Sequence, residues 1–195
     1  MNAVSNVWGL AKRQTLGVGS LRALIIAGVG VSDHKAQAPH SVGCFVLTVS
    51  DTRTTETDTS GRAIRELLEA AGHHVTASGL VSDDPQQVTT IVQRQLTDAM
   101  TRVIITTGGT GITSRDGTFE AVDRLFDKRL TGFGELFRML SFDEIGSAAM
   151  MSRAAAGTVG AKAIFVLPGS ESAVRLAMTR LIVPELGHIA QQLSK

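Results

Sequence analysis

A glycine-rich loop between a predicted strand and a predicted helix is the part of this sequence best suited to chemistry. The β-branched run 103–107 leads into Gly108-Gly109-Thr110-Gly111, and polar residues follow where a helix is predicted to begin. Glycine permits positive φ angles and a close approach of backbone to an anion. Successive amides in such a loop can bind an anion, and a helix N-terminus adds partial positive charge. The pattern predicts a phosphate site at the carboxyl end of a sheet.

Asp116 follows the glycine loop and suggests that a cation accompanies the phosphate. A carboxylate repels a phosphate unless a cation lies between them, and Mg²⁺ commonly combines one or two carboxylates with phosphate oxygens of the substrate. The alternative interpretation is a tight turn in which Asp116 is a helix cap. The loop has neither the Gly-Lys-Ser/Thr of a Walker A motif nor GxGxxG spacing, so the choice depends on the surrounding sequence.

Polar clusters follow each predicted parallel strand, and ligands of open α/β sheets bind beyond the carboxyl ends of strands. Asp and Ser also favour turns and caps, which is the preferred interpretation of Asp51, Asp58 and Asp84 taken singly. Asp83 and Asp116 are the preferred functional candidates, because both are expected near the glycine loop. The four clusters are Ser50 with Asp51, Asp83 with Asp84, the glycine loop with Asp116, and Pro168-Gly169-Ser170.

Hydrophobic patterning predicts an α/β fold with three layers, α/β/α. The apolar run at 44–49 is typical of a strand buried on both faces, and further strands are predicted at 75–81 and 102–107. Amphipathic helices are predicted after the first two strands, capped by Ser60 and starting at Pro85. Short connections between such units favour a mostly parallel sheet. Later predictions are a helix from Gly132 through Leu140 with a turn around 143–146, a small hairpin of strands 154–159 and 163–167, and helices from Ser172 to Leu181 and from Pro184.

Composition favours one globular domain with an extension. The chain has 195 residues, 43% of them hydrophobic, and we assign 43–195 to the domain and 1–42 to a disordered N-terminal extension. The net charge of +1 gives no basic footprint for nucleic acid. Cys44 is the single cysteine, which rules out an internal disulfide and fits a reducing compartment, so we expect a cytoplasmic protein without nucleic-acid or membrane partners.

The extension differs from the domain in charge and pattern. Residues 1–43 carry four basic residues and one acidic residue, a net charge of +3, whereas the remaining 15 basic and 17 acidic residues give −2. Basic residues precede the apolar run 23–31, and Ala36-Gln37-Ala38 resembles a cleavage site, as in a secretory signal. The charged residues between run and cleavage site argue against export. A disordered arm and an over-extended reading frame are the open alternatives.

Ordered motifs across residues 44–192 resemble the MoaB/Mog family of molybdenum cofactor biosynthesis proteins. The MoaB branch is the most similar over residues 132–146. The motifs are Leu47-Thr48-Val49-Ser50-Asp51, Asp58-Thr59-Ser60-Gly61, Thr106-Thr107-Gly108-Gly109-Thr110-Gly111, Arg115-Asp116, Gly132-Phe133-Gly134-Glu135, Leu140-Ser141, Ser152-Arg153-Ala154 and Leu167-Pro168-Gly169-Ser170.

The resemblance implies a homotrimer or hexamer that adenylylates molybdopterin with Mg-ATP and releases pyrophosphate, with a molybdenum insertase as a further partner. The apolar residues expected to be available for contacts between subunits are Phe133, Phe137, Met139, Met150 and Met151. The two aspartates essential in the family fall on Asp116 and on Asp83, or alternatively Asp84, and we expect Asp83 and Asp116 to hold the metal. The residues expected to bind the ligands are Ser50, Asp51, Thr107, Gly108, Gly109, Thr110, Gly111, Ser152, Pro168, Gly169 and Ser170.

Two other functions compete with the transferase: a molybdopterin-binding or assembly paralogue that does not turn over ATP, and a pyridine-nucleotide hydrolase that shares this domain. Asp83 and Asp116 favour the transferase, because acidic residues beside phosphate have little structural use without a metal. The chain departs from the family at Gly117 and Phe119, where Val and Pro or Ile are usual, and we expect a looser helix start there.

The extension is predicted to be dispensable. A chain that starts at Ser41 should unfold within a few degrees of the full chain and keep its oligomeric mass, because poorly tied termini commonly tolerate removal. Thermal unfolding and light scattering of the two chains make the comparison. Unfolding of the shortened chain, or a smaller assembly, would show that the apolar run 23–31 packs against the domain.

Overall fold

The computed structural model describes residues 39–195, so the predicted extension lies outside the described residues apart from its last few positions. The strands are β1 (Gly43–Val49), β2 (His74–Val81), β3 (Val103–Thr107), β4 (Lys128–Arg129), β5 (Ala155–Val159) and β6 (Lys162–Leu167). The α-helices are α1 (Thr59–Ala70), α2 (Pro85–Thr97), α3 (Thr118–Asp123), α4 (Thr131–Ile145), α5 (Glu171–Ala177) and α6 (Leu186–Gln192).

The strands form one mixed sheet in the order β2-β1-β3-β6-β5-β4. The first four strands in this order run parallel, and β5 and β4 add to one edge in antiparallel pairing. The tight β5–β6 turn uses Gly160 at a φ of +53°, a conformation that glycine adopts without strain. The predicted α/β fold, with a mostly parallel sheet and a hairpin in the C-terminal third, is confirmed.

The alternation of side chains along the strands builds a separate core on each face of the sheet. In β1, Cys44 and Val46 pack with residues of α1, α4, α5 and α6, whereas Phe45, Leu47 and Val49 pack with residues of α2 and α3. All seven residues of β1 are buried, as are all five of β3. Burial on both faces is the reason that these strands have no polar side to alternate with their apolar one.

The start of α1 differs from the prediction. Asp58, not Ser60, caps the helix, and its Oδ1 accepts a hydrogen bond of 2.9 Å from the amide of Gly61. The hydroxyl of Ser60 is buried and donates instead to the carbonyl of Gly169, at 2.7 Å. The cap thus moves two positions upstream, because Ser60 is used in a contact between distant segments.

The helical segments of the second half also differ from the prediction. Helix α4 runs unbroken to Ile145, and the hydroxyl of Ser141, donating 2.8 Å to the carbonyl of Phe137, bonds within the helix where an end was expected. A 3₁₀-helix follows over Gly146–Met151. Two further irregular turns, Met178–Ile182 and Val183–Glu185, separate α5 from α6, so the last helix starts at Leu186 rather than Pro184. The two-residue strand β4 was not predicted.

An exposed apolar surface lies on α4 and the 3₁₀-helix that follows it. Of the residues predicted to be available for subunit contacts, Phe137 is instead buried, and Phe133 packs beside it against Phe165. Met139, Met150 and Met151 are exposed as predicted. We name the exposed set the apolar ridge; it comprises Leu136, Met139, Phe142, Ile145, Met150 and Met151.

None of the helices in residues 39–195 has the length and apolar character that crossing a membrane requires.

Candidate functional site

The predicted polar clusters meet in a cavity of about 640 Å³ at the carboxyl ends of the parallel strands, which we name the glycine-loop cavity. Every residue that was predicted to bind ligand or metal lines it, with the exception of Ser152. The lining site residues are Ser50, Asp51, Asp83, Thr107, Gly108, Gly109, Thr110, Gly111, Asp116, Pro168, Gly169 and Ser170.

The glycine loop can take its path only because its first residues lack side chains. Gly108 has a φ of +101°, and a Cβ on it would lie 2.0 Å from the carbonyl oxygen of Val49. Gly109 has a φ of +62°, and a Cβ on it would lie 2.6 Å from Oδ1 of Asp83. The amide of Gly108 donates 3.1 Å to the carbonyl of Leu167, which leaves the amides of Gly109 and Thr110 as the candidate donors to an anion.

Asp83 and Asp116 come from different loops and both face the cavity, but their surroundings act oppositely on them. Partial burial, followed by the nearby carboxylates of Asp116 and Asp51, raises the pKa of Asp83, although hydrogen bonds from Gly117 and Thr118 partly offset this. Hydrogen bonds from Thr113, 2.6 Å from its hydroxyl and 2.9 Å from its amide, lower the pKa of Asp116. A bound cation would therefore stabilise the ionised form of Asp83 more than that of Asp116.

Asp84 has a different place from Asp83. Its Oδ1 accepts a hydrogen bond of 2.9 Å from the amide of Gln86, and it caps α2 ahead of Pro85. Its Oδ2 accepts from the side chain of Gln87 at 3.1 Å. Of the two candidates for the first essential carboxylate, Asp83 alone lines the cavity, and Asp84 performs the capping role that Asp favours.

The donor set suits a cation that is shared with a ligand. Over residues 39–195, no group of three or more His, Cys, Asp or Glu side chains is arranged to hold a metal ion by itself. Asp83 and Asp116 approach the glycine loop from both sides, since Asp83 lies against Gly109 and Asp116 against Gly111. Two carboxylates fit Mg²⁺, which usually completes its shell with water and substrate phosphates.

Arg153 braces the glycine loop from outside the cavity. Its Nε donates 3.0 Å to the carbonyl of Thr110, its Nη2 donates 3.0 Å to the carbonyl of Asp116, and its Nη1 pairs with Glu120. The guanidinium also lies 5.2 Å from the ring centre of Phe119, within cation–π range. One side chain thus ties Thr110 of the glycine loop and Asp116 after it to Glu120 in α3.

These contacts account for the departures at Gly117 and Phe119. A Cβ on Gly117 would lie 2.5 Å from Cγ of Pro85, so this chain has no room for a valine there without a shift. Phe119 supplies the face on which Arg153 rests. The contact between Phe119 and Arg153, which could not be predicted from the sequence, therefore supports the helix start that we expected to be looser. Ser152 lies beside this arginine, and the cavity wall next to it is formed by Met151.

A buried carboxylate organises the opposite wall of the cavity. Asp58 accepts hydrogen bonds from the Thr48 hydroxyl at 2.8 Å and the Gly61 amide at 2.9 Å, and it pairs with the guanidinium of Arg53 at 3.5 Å. Nη2 of Arg53 donates 2.7 Å to the carbonyl of Gly169. Sequence reasoning missed Arg53 as a site residue, because the contact that fixes it joins positions 53 and 169.

A second cavity, of about 900 Å³, adjoins the first, and we name it the α2–α3 groove. The two spaces share Gly111 and Asp116 as walls. Helices α2 and α3 supply six of its other wall residues, among them Thr89, Thr90 and Glu120, and Arg153 also lines it. Asp116 therefore stands between two cavities that are each large enough for part of a ligand.

Comparison with known proteins agrees with this arrangement. A family described as "Probable molybdopterin binding domain" matches residues 45–188. Molybdenum cofactor biosynthesis protein B of Bacillus cereus is 52% identical over 168 residues, covering 86% of this chain and 99% of that protein. The Bacillus subtilis protein of the same name is 50% identical over 168 residues, with the same shares of both chains.

Solved structures give the same result. The crystal structure of a molybdenum cofactor biosynthesis protein B matches with a TM-score of 0.78 and 54% identity, covering 81% of this chain and 99% of that one. The tungsten cofactor synthesizing protein MoaB from Pyrococcus furiosus matches with a TM-score of 0.73 and 37% identity, covering 81% of this chain and 100% of that one. The chain therefore belongs to the MoaB/Mog family of molybdenum cofactor biosynthesis proteins.

Proposed function

We propose that this protein is a molybdopterin adenylyltransferase, which transfers AMP from Mg-ATP to molybdopterin and releases pyrophosphate. The observation that carries the proposal is the meeting of Asp83, Asp116 and the glycine loop in one cavity. Asp83 follows β2, whereas the glycine loop and Asp116 both follow β3. Together they can hold phosphate and the cation that neutralises it. Membership of a family matched to a molybdopterin-binding domain supports the choice of acceptor.

The chemistry requires positioning rather than a protein nucleophile. An oxygen of the pterin phosphate attacks the α-phosphorus of ATP, a new P–O bond forms, and the bond from that phosphorus to the bridging oxygen breaks, with the electron pair leaving on pyrophosphate. Reactions of this class are accelerated mainly by alignment and by neutralisation of charge. Backbone amides of the glycine loop would align the phosphates, and the network around Asp58 keeps the opposite wall fixed.

The two adjoining cavities support a reaction between two ligands. Asp116 forms part of the wall of both, and Arg153 fixes the backbone carbonyl of that residue. A transferase has to present donor and acceptor to each other across a short distance, and a common wall meets that need. We propose that the reacting phosphates lie in the glycine-loop cavity and that a ring system extends into the α2–α3 groove.

Mg²⁺ is the proposed metal, with Asp83 and Asp116 as its protein ligands. When bound, it would supply positive charge to the triphosphate. The raised pKa of Asp83 supports this assignment, because burial and, to a smaller degree, the carboxylates of Asp116 and Asp51 disfavour its charge in the free protein, and a bound cation would offset both effects. The reaction would take place in the cytoplasm, and a molybdenum insertase would receive the product.

We also propose that the chain assembles as a trimer, or as a pair of trimers. The apolar ridge supports self-association, since its six side chains are exposed in the single chain on two consecutive helical segments. Exposed apolar surface of this kind often marks a protein contact.

The first prediction concerns stability without metal. In the presence of a chelator at about pH 7, Asp83→Asn should raise the midpoint of thermal unfolding, whereas Asp116→Asn should lower it. A raised folded-state pKa means that ionised Asp83 costs stability at neutral pH, and a lowered one means that ionised Asp116 adds stability. The difference at Asp83 should shrink as the pH falls through the raised pKa of Asp83 to the ordinary pKa of Asp, whereas the difference at Asp116 should shrink as the pH falls from that ordinary value through the lowered pKa of Asp116.

Added Mg²⁺ is the second arm of this experiment. It should raise the midpoint of the parent chain more than that of Asp83→Asn, because the variant has lost the repulsion that the cation relieves. Equal shifts in the two chains would remove Asp83 from the metal site.

The second prediction concerns turnover. Asp116→Asn should lower the rate of formation of adenylylated molybdopterin from molybdopterin and Mg-ATP by about 100-fold or more, a loss typical of a lost transition-state charge contact. Asp84→Asn is the matched control: it is also an aspartate beside the site, but it caps α2, and the rate should stay within a few-fold of the parent. Equal rates for the parent and Asp116→Asn would end the catalytic assignment. If the parent binds molybdopterin but yields no product, the protein is a binding or assembly paralogue.

The third prediction concerns assembly. Light scattering after gel filtration should give the mass of three or six chains, and replacing Met139 and Phe142 together by glutamate should reduce that mass. Both side chains are exposed in the single chain, so the double variant should keep its fold. A parent chain that elutes as a monomer at micromolar concentration would contradict the assignment of the ridge.

A further inference from the structure

Arg53 has a place in the glycine-loop cavity that the proposed chemistry leaves unused. It is the single basic residue among those that line the cavity in the described part of the chain. Three acidic residues, Asp51, Asp83 and Asp116, line the same space. The three carboxylates would repel the phosphates of a ligand unless a cation lay between them. The guanidinium of Arg53 is positively charged and can bind a phosphate directly.

The guanidinium of Arg53 is held in place before any ligand arrives. Its Nη2 donates 2.7 Å to the carbonyl of Gly169, and its Nη1 lies 3.5 Å from Oδ1 of Asp58. Asp58 is itself 4% exposed and accepts hydrogen bonds from Thr48 and Gly61, so it is a well-held partner for the arginine. A guanidinium has five N–H donors, and these contacts use two of them.

The strand order places the carbonyl that anchors the guanidinium of Arg53 and the carboxylate of Asp83 at different strand ends. In the order β2-β1-β3-β6, Asp83 follows β2 on one side, whereas the anchor of Arg53 at Gly169 follows β6 on the other. Asp51 is the acidic cavity residue nearest to Arg53 in sequence. It is paired with Arg115, and it accepts a hydrogen bond from the amide of Asp83. The cavity thus has an acidic end suited to phosphate that carries a metal, and a basic end suited to phosphate that carries none.

We propose that Arg53 is the receptor for the metal-free phosphate of the two substrates, which is the phosphate monoester of molybdopterin. The inference rests on the proposed function for the identity of the ligand. Arginine suits the task because its planar fork can donate two parallel hydrogen bonds to phosphate. Arg53 would hold the attacking phosphate at the β6 side while the triphosphate lies at the β2 side, and it would thereby select which substrate enters each end.

The test compares the affinity for molybdopterin of four chains by titration calorimetry. Arg53→Met removes the charge and keeps the length, and it should weaken molybdopterin binding by about 10-fold to 100-fold, as expected for hydrogen bonds to charged groups. Arg53→Lys keeps the charge without the fork and should fall between the parent and Arg53→Met. Affinity for Mg-ATP should stay within about threefold of the parent in both variants, a ratio within the scatter of small mutational effects.

Ser60→Ala separates ligand binding from a structural effect. Ser60 donates to the same carbonyl of Gly169 as Arg53 does, also at 2.7 Å, but it carries no charge and does not line the cavity. If Arg53 acted only by holding Gly169, Ser60→Ala would weaken molybdopterin binding as much as Arg53→Met. We expect the serine variant to bind within about threefold of the parent.

Inorganic phosphate provides a probe of the same site. Inorganic phosphate should weaken molybdopterin binding to the parent chain by competition, and it should no longer do so in Arg53→Met. The midpoints of thermal unfolding of all four chains check that they are folded. If Arg53→Met does not fold, the ordering of parent, Arg53→Lys and Ser60→Ala decides the question: a lysine variant that binds like the parent overturns the proposal.

The outcomes distinguish this inference from the proposed function. Product formation by the parent, with unchanged molybdopterin affinity in Arg53→Met, would overturn the role of Arg53 and leave the transferase standing. Absence of product from the parent, with molybdopterin binding that depends on Arg53, would overturn the transferase and support the receptor. A parent chain that does not bind molybdopterin overturns both.

Discussion

The cavity depends on three strand ends that meet backbone to backbone. Gly108 passes so close to the end of β1 that a Cβ would lie 2.0 Å from the carbonyl of Val49, and a Cβ on Gly169 would lie 3.3 Å from Cα of Gly108. Any side chain at Gly108 would force β1 and β3 apart at this edge. The ends of β1, β3 and β6 can therefore share one hydrogen-bonded frame, and the functional side chains enter it from the loops that follow.

The acidic side chains that enter the cavity reduce the stability of the folded protein. The carboxylates of Asp51, Asp83 and Asp116 are close enough for two of them to raise the pKa of the third. A protein selected for stability alone would not retain this repulsion, because neutral side chains of similar size would fill the same space. Asp58, in contrast, has three hydrogen-bonding or ionic partners and belongs to the scaffold rather than to the ligand. Hydrogen-bonding and ionic partners within the protein therefore distinguish the structural Asp58 from the aspartates that line the cavity.

Much of the fold could be predicted from local sequence, because strands buried on both faces leave a continuous apolar run and each run ends in a polar cluster. Burial of β1 and β3 and the meeting of their loops at one edge follow from this pattern. The predictions failed where a distant contact changed a local preference. Ser60 has the chemistry of a cap, yet its hydroxyl is taken by Gly169, and Phe133 and Phe137 looked available for subunits although they complete the core beside Phe165.

The two charged side chains at the site that sequence reasoning missed, Arg53 and Arg153, are both arginines, for a physical reason. A long side chain with several donors acts where its head lies, and the head of Arg153 reaches Thr110 and Asp116, more than thirty positions away in the chain. No spacing rule connects such positions. Aspartates and glycines are easier to predict, because their effect falls on the backbone next to them, as at Asp84 and Gly108.

The shared position of Asp116 has a thermodynamic consequence. Because this carboxylate belongs to the walls of both the glycine-loop cavity and the α2–α3 groove, a ligand in one cavity that changes its ionisation or rotamer also changes the affinity of the other cavity. Linkage makes this coupling reciprocal: the factor by which the first ligand alters the binding of the second equals the factor by which the second alters the first. Coupling between two ligands would therefore act through a single side chain, and a complex with one ligand bound would already be a different receptor from the free protein.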